Sequence, residues 1–260
     1  MMRSLWISKT GLDAQQMNLD TIANNLANAS TTAFKTMRPM FEDLMYQTLR
    51  EPGAYTLGQA TNPDGLQVGA GAKMSATERI NTQGALLLTG NSLDVAIKGN
   101  GYFQITMPDG SLAYTRDGSF TKDQNGLIVT QAGFTVGNGI TIPSGSTSLT
   151  ISADGTVQYT LNDPTKQYTA GNLIVANFIN PDGLLATGGN LFLETSASGT
   201  PVINVPGTNG TGVLAQNNLE QSNVNVAEQL VQMIAAQRLY EIQARAITAS
   251  DQMLQRIGQL

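Results

Sequence analysis

The chemistry open to this chain is bounded first by two absences: it contains no histidine and no cysteine. Thiolate nucleophiles, disulfides, iron–sulfur clusters and Cys/His zinc sites are excluded, and the most frequent general base is missing. Carboxylates, serines and lysines remain, so hydrolysis by two carboxylates stays open on composition, although no dyad is evident in the spacing. Arg116 and Asp117 in YTRDGSF form a compact charged pair. The Asp-Gly step predicts that Asp117-Gly118 turns a hairpin while Arg116 meets a neighbouring carboxylate. Asp123-Gln124-Asn125-Gly126 superficially resembles a calcium loop, yet it lacks the preceding acidic spacing and the later bidentate Glu. Gly69-Ala70-Gly71 and Gly99-Asn100-Gly101 lack the further glycine and the helix of a dinucleotide motif. No catalytic residue, cofactor or metal ligand is expected, and the chain reads as a non-enzyme.

If the residues do no chemistry, they must do something by packing. Charged residues are 13% of the 260, about half the usual share. Amides take their place, with 21 Asn and 20 Gln. The 14 basic and 19 acidic side chains give a net charge of −5, and no basic face offers itself to nucleic acid. Polar surface with little charge suits a chain that lies against other subunits or is exported. No stretch approaches the roughly 18 apolar residues of a membrane span. Near the N-terminus only Leu5, Trp6 and Ile7 run together, short of the ~7–15 residues of a secretory signal. The expectation is a cytoplasmic chain, or one exported without a cleaved signal and not inserted in a membrane.

The elements follow from periodicity. Residues 1–30 read as a helix with Leu5, Leu12, Leu19 and Leu26 at every seventh place, broadened by Met17, Ile22 and Ala23. At the other end Asn225 followed by Glu228 predicts a capped N-terminus. From there Val226, Met233, Tyr240, Ile247 and Leu254 step by seven, with Leu230 opening the neighbouring row. Neither seam is rich enough to stand alone, so the helices are expected to pair as a coiled coil and to leave surface for further assembly. Between them, Asx-Gly steps at Asp64, Asn100, Asp109, Asp117, Asn125, Asn138, Asp154, Asp182 and Asn209 separate short β-rich runs at 94–98, 102–107, 127–130, 147–151 and 172–177. The predicted class is α+β. Its parts are an N-terminal assembly helix (1–30), an extended connector with a short helix over 40–50 (31–80), an antiparallel β-rich domain (81–195), a return connector (196–222) and a C-terminal assembly helix (223–260).

Several segments resemble one family. ANNLANASTTAFK at 23–35 is similar to the signature of bacterial flagellar rod and hook axial proteins, and the sequence from Ser222 to Gln255 resembles their terminal helix. SLWISKTGLDAQQ, FEDLMYQTLREPGA, GLQVGAGA, LDVAIKGNGYFQI and PDGSLAYTRDGSF resemble the distal-rod members, and together the segments cover essentially the whole chain. The resemblance implies export through the flagellar type III apparatus and terminal helices that order and pair on assembly. It implies a helical homopolymer in the periplasm that encloses a channel, and a β domain facing outward. Implied partners are proximal-rod subunits, the hook protein and the ring bushings of the outer membrane and peptidoglycan. The implied role is to transmit torque to the hook.

On this reading Leu5, Leu12, Leu19, Ile22, Asn24, Asn25, Leu26 and Asn28 are N-terminal assembly residues. Val226, Leu230, Met233, Tyr240, Ile247 and Leu254 are their C-terminal counterparts. For the three asparagines, hydrogen bonding between subunits stands beside a plain helix-end role. The stretch 46–63, with Tyr46, Arg50, Pro52, Tyr55 and Pro63, resembles a segment that distal-rod proteins have and typical hook proteins lack; the family links it to rigidity. A proximal-rod or hook-type subunit is the nearest alternative; a glycan-binding β module and a wall hydrolase are alternatives of other classes.

Overall fold

The computed structural model describes residues 2–51, 64–161 and 166–258. Among these described residues the order is α1 (Met2–Ala27), twenty strands and α2 (Val226–Gly258). The strands pair antiparallel throughout, so the fold is α+β. The chain divides into two compact units: unit 1 holds 1–27, 37–80 and 225–260, and unit 2 holds 28–36 and 81–224.

In unit 1, α1 and α2 pack along each other in opposite directions. Asn25 Nδ2 donates to Gln229 Oε1 at 3.2 Å, and Gly11 lies against the Gln243 side chain. The two contacts are fourteen residues apart on each helix, two seven-residue repeats, so both helices keep the same register. The facing rows explain this. On α2, Gln229, Met233, Ala236, Tyr240, Gln243, Ile247 and Ser250 alternate steps of four and three and, with Ala244, are the buried or half-buried positions among its described side chains. On α1, Ala14, Thr21, Ile22 and Asn25 are the most buried, while Leu5, Leu12, Leu19 and Leu26 are half-buried. A glycine at position 11 makes room: a Cβ there would stand 2.6 Å from Gln243 Oε1. Asn225 caps α2 through its Oδ1, which accepts the Ala227 and Glu228 amides at 3.2 and 3.4 Å. Glu228 completes no capping box; its Oε1 accepts the Gln232 side-chain amide at 3.2 Å.

Strands β1 (Met37–Asp43), β2 (Gln47–Arg50), β3 (Leu66–Val68) and β4 (Ala72–Arg79) complete unit 1. The short helix expected over 40–50 is not formed. β1 pairs with β4 along its whole length, from Met37 opposite Arg79 to Asp43 opposite Ala72. Seven residues of ladder outweigh the local helical pattern.

Unit 2 opens with β5 (Leu86–Leu88), β6 (Val95–Lys98), β7 (Tyr102–Thr106) and β8 (Leu112–Thr115). Next come β9 (Thr121–Lys122), β10 (Ile128–Val129), β11 (Thr135–Val136), β12 (Ser148–Ile151), β13 (Thr156–Thr160) and β14 (Gln167–Asn172). It closes with β15 (Val175–Asn177), β16 (Leu185–Gly188), β17 (Leu191–Leu193), β18 (Val202–Asn204), β19 (Val213–Gln216) and β20 (Asn218–Glu220). A nine-stranded sheet runs β16-β17-β8-β7-β11-β10-β9, with β15 joining β7 and β18 joining β15. Phe103, Ile105, Val95, Ile97, Ile128 and Val157 lie in its core. Six of the Asx-Gly steps put their glycine at positive φ: Gly101, Gly110, Gly126, Gly139, Gly155 and Gly210. The residues expected as a plain return connector instead supply β18, β19 and β20, which pair with β15, β6 and β5.

Candidate assembly surfaces and a buried ionic clamp

Two features stand out once side chains are placed. The first is a clamp inside unit 2. Glu220, in β20, is fully buried. Its Oε1 meets Lys35 Nζ at 2.5 Å and accepts the Gly84 amide at 3.0 Å; its Oε2 accepts from Arg116 Nε at 2.7 Å. Side-chain exposure is 0% for Glu220, 5% for Lys35 and 7% for Arg116, so water reaches none of them freely. The cations are satisfied elsewhere too. Arg116 donates to the carbonyls of Gly99, Gly101 and Ile97, and Lys35 donates to Thr82 O at 2.8 Å. Backbone bonds reinforce the link, with Ala33 N on Glu220 O at 2.8 Å and Thr36 N on Asn223 Oδ1 at 2.7 Å. The first and last segments of unit 2 are thereby fastened to each other and to the β6–β7 turn.

Burial pushes the Glu220 carboxyl up, but the Arg116 charge and the Lys35 and Arg116 hydrogen bonds outweigh it and hold it below the ordinary carboxylate range. For Lys35, burial dominates over the pull of Glu220 and lowers its affinity for a proton. Sequence reasoning placed a carboxylate beside Arg116 without naming it and missed Lys35 altogether. Glu220 lies 104 residues from Arg116 and 185 from Lys35, and no local pattern marks such pairs. Asp117-Gly118 is no tight hairpin. Gly118 is the point where the chain touches β6, with Val95 N on Gly118 O at 3.1 Å and no room for a Cβ, which would stand 1.6 Å from Val95 O.

The second feature is the outer face of the unit 1 helices. Val226, Leu230, Val231, Ile234, Leu239 and Ile242 of α2 are exposed, Val231 by 67% and Ile242 by 62%; on α1, Trp6 and Met17 are exposed. This corrects the expected neighbouring row. Leu230 points away from α1, and Gln229 one residue earlier faces it, because a heptad seam needs the residue three after Val226 rather than four. Met233, Tyr240 and Ile247 do lie on the inner row, and the side chain of Leu254 is outside the described residues. Val226 heads that row but is itself exposed. Asn25 is buried, and its amide is committed within the chain. It donates to Met37 O at 2.8 Å and to Gln229, and its Oδ1 accepts the Met37 amide at 2.9 Å. Those bonds leave the helix-end reading in place for Asn25 and no amide hydrogen for a neighbouring subunit. Asn24 is exposed, and Asn28 Oδ1 accepts from Thr31 Oγ1 at 3.1 Å.

Of the connector residues, Tyr46 is exposed and its ring lies 3.4 Å from a Cβ built at Gly69; Arg50 ends β2 and is also exposed. Pro52, Tyr55 and Pro63 lie outside the described residues. Among the described residues no group of acidic side chains could hold a metal ion, and no helix is long and apolar enough to cross a membrane.

Three families match, each to a different part of the chain. "Flagella basal body rod protein" matches residues 6–35, which include most of α1 and Lys35. "Flagellar hook protein FlgE/F/G D1 domain" matches 96–159, which include Arg116, and "Flagellar basal body rod FlgEFG protein C-terminal" matches 215–260, which include Glu220 and α2. The ionic clamp thus draws one residue from each matched region. Whole-length relatives agree. The chain is 55% identical over 260 residues to the flagellar basal-body rod protein FlgG of Buchnera aphidicola from Acyrthosiphon pisum, covering all of both chains. It is 47% identical to FlgG of Borreliella burgdorferi over 98% of this chain and 97% of the other. For FlgG of Bacillus subtilis the identity is 39%, over 100% and 99%. Likeness of this extent, continuous from α1 to α2, makes the chain a member of the flagellar basal-body rod protein family.

Proposed function

We propose that the chain is a structural subunit of the distal rod, a helical tube that carries torque across the periplasm to the hook and encloses the export channel. The observation that carries this reading is the outward row on α2. Two helices that already share a seam still present Val231, Ile234 and Ile242 to water. A lone soluble domain rarely keeps such a face. A polymer buries it by repeating one heterologous contact under a helical operator. The helices act as a two-stranded coiled coil whose ordering is completed on assembly, which holds polymerisation back until export. Leu5, Leu12, Leu19, Ile22 and Leu26 support the pair from α1. Leu230 acts from the outer face, and the stretch 46–63 braces neighbouring subunits. Export proceeds through the flagellar type III apparatus without a cleaved signal. The assembly partners are further copies, proximal-rod subunits, the hook protein and the ring bushings, and the subunit works without catalysis.

Electron microscopy of basal bodies from a strain lacking only this protein tests the assignment. Stubs with a proximal rod but no distal rod, bushings or hook are expected. Complete rods lacking only the hook would make the chain a hook subunit, and intact motile flagella would overturn the axial reading.

A further inference from the structure

Unit 2 has a cavity around Asp117 that a drive-shaft role leaves unused. The segment after β8, the β10–β11 turn and the β16–β17 turn converge on about 260 Å³, lined among others by Asp117, Ser119, Gln131, Phe134, Asn190 and Leu191. Its polar groups are held in place. Asp117 Oδ1 accepts the Ser119 amide at 3.0 Å and Asp117 Oδ2 accepts from Asn190 Nδ2 at 3.1 Å. The other Asn190 hydrogen goes to Thr32 O at 3.3 Å, and Asn190 O accepts from Thr115 Oγ1 at 2.7 Å. These bonds use both Asn190 donors and leave its Oδ1, together with the second lone pairs of the carboxylate, as acceptors. Ser119 Oγ accepts from Gln131 Nε2 at 3.3 Å and keeps its own hydrogen to donate. Phe134 and Leu191 add half-buried apolar wall.

The lining selects a ligand by elimination. One carboxylate with no cation beside it repels phosphates and carboxylates. It is also too little charge for calcium, which takes about six to eight oxygen ligands. The polar wall is wrong for an acyl chain. A neutral ring bearing hydroxyls fits every group: its hydroxyls donate to Asp117 and Asn190, accept from Ser119, and its C–H face lies on Phe134. The volume sits just below the ~300 Å³ at which drug-sized pockets begin, which is room for one ring. We propose that this cavity binds a single ring of a saccharide chain. It is a site that neither polymerisation nor the family matches require.

The test titrates the isotope-labelled full chain with chitotriose and, separately, maltotriose, following amide resonances. Saturable shifts at Ser119, Gly189 and Asn190 with Kd on the order of 1 mM are expected. At least tenfold weakening is expected in both Asp117→Asn, which keeps the side chain's shape, and Gln131→Ala, which alters an exposed group. Preference for chitotriose assigns the N-acetylated class, and equal binding assigns saccharides generally. Absence of saturable shifts with either sugar overturns the proposal, as does binding that both variants leave unchanged.

Discussion

In unit 2 the fully buried side chains include large ones, among them Tyr114, Phe103, Phe120, Ile97, Ile105 and Glu220. In the helices of unit 1 the most buried positions are Ala14, Thr21, Ile22, Asn25, Gln229, Ala236 and Ser250, which are small or polar with one exception, while Trp6, Ile234 and Ile242 face water. At about 25 cal/mol per Å² of apolar surface, the first arrangement supplies its own stability and the second leaves much of its apolar area exposed. Unit 2 is therefore expected to behave as an autonomous folded body, and the helices of unit 1 to gain order from assembly.

The comparison breaks most readily at the clamp. Glu220→Ala leaves Lys35 and Arg116 buried without a counter-charge and should destabilise unit 2 by about 3–5 kcal/mol. Denaturant melts of the full chain by near-ultraviolet circular dichroism report this, since Tyr114 and Phe103 lie in unit 2. An unchanged midpoint would remove the clamp from the account. Gly118→Ala forces a Cβ against the Val95 carbonyl and should cost about 1–3 kcal/mol or more in the same transition. Acid probes the clamp without mutation. Because the folded Glu220 carboxyl is held below its unfolded value, its contribution is complete above the ordinary carboxylate range and is lost as pH falls through the depressed folded value. The unit 2 midpoint should drop below about pH 4 and should do so much less in Glu220→Gln.

Changes in the helical seam should be smaller. Asn25→Ala removes the partner of Gln229 and of both Met37 backbone groups, at about 1–2 kcal/mol, and hydrogen exchange at Met37 should rise. Gln243 Oε1 is buried without a hydrogen bond among the described residues. Gln243→Met should be neutral or stabilising by less than about 1 kcal/mol; a large loss would mean that the polar layer, rather than space at Gly11, sets the register.

Both helices, the α+β class and the short strands around 95–98, 102–106 and 148–151 were legible in sequence, because heptads and alternation write themselves locally. The inner row of α2 was half legible: Met233, Tyr240 and Ile247 announce themselves as apolar, but Gln229, Ala236, Gln243 and Ser250 do not, and Leu230 lies off that row on the exposed face. The strands at 37–50 were missed because their ladder partners, β4 for β1 and β3 for β2, lie beyond the stretch 52–63. The clamp was illegible for the same reason on a larger scale. Its three charges come from 35, 116 and 220, and only folding brings them within hydrogen-bond distance.

The claim that the outer face of α2 is an assembly surface is tested most directly by placing Val231→Asp, Ile234→Asp and Ile242→Asp together in the deletion strain and imaging its basal bodies. All three positions are exposed in the subunit, so its own stability should change by less than about 0.5 kcal/mol for each substitution. The account predicts that the variant is made, folds its unit 2 and is exported, yet leaves basal bodies without a distal rod. Full-length rods carrying hooks would contradict it.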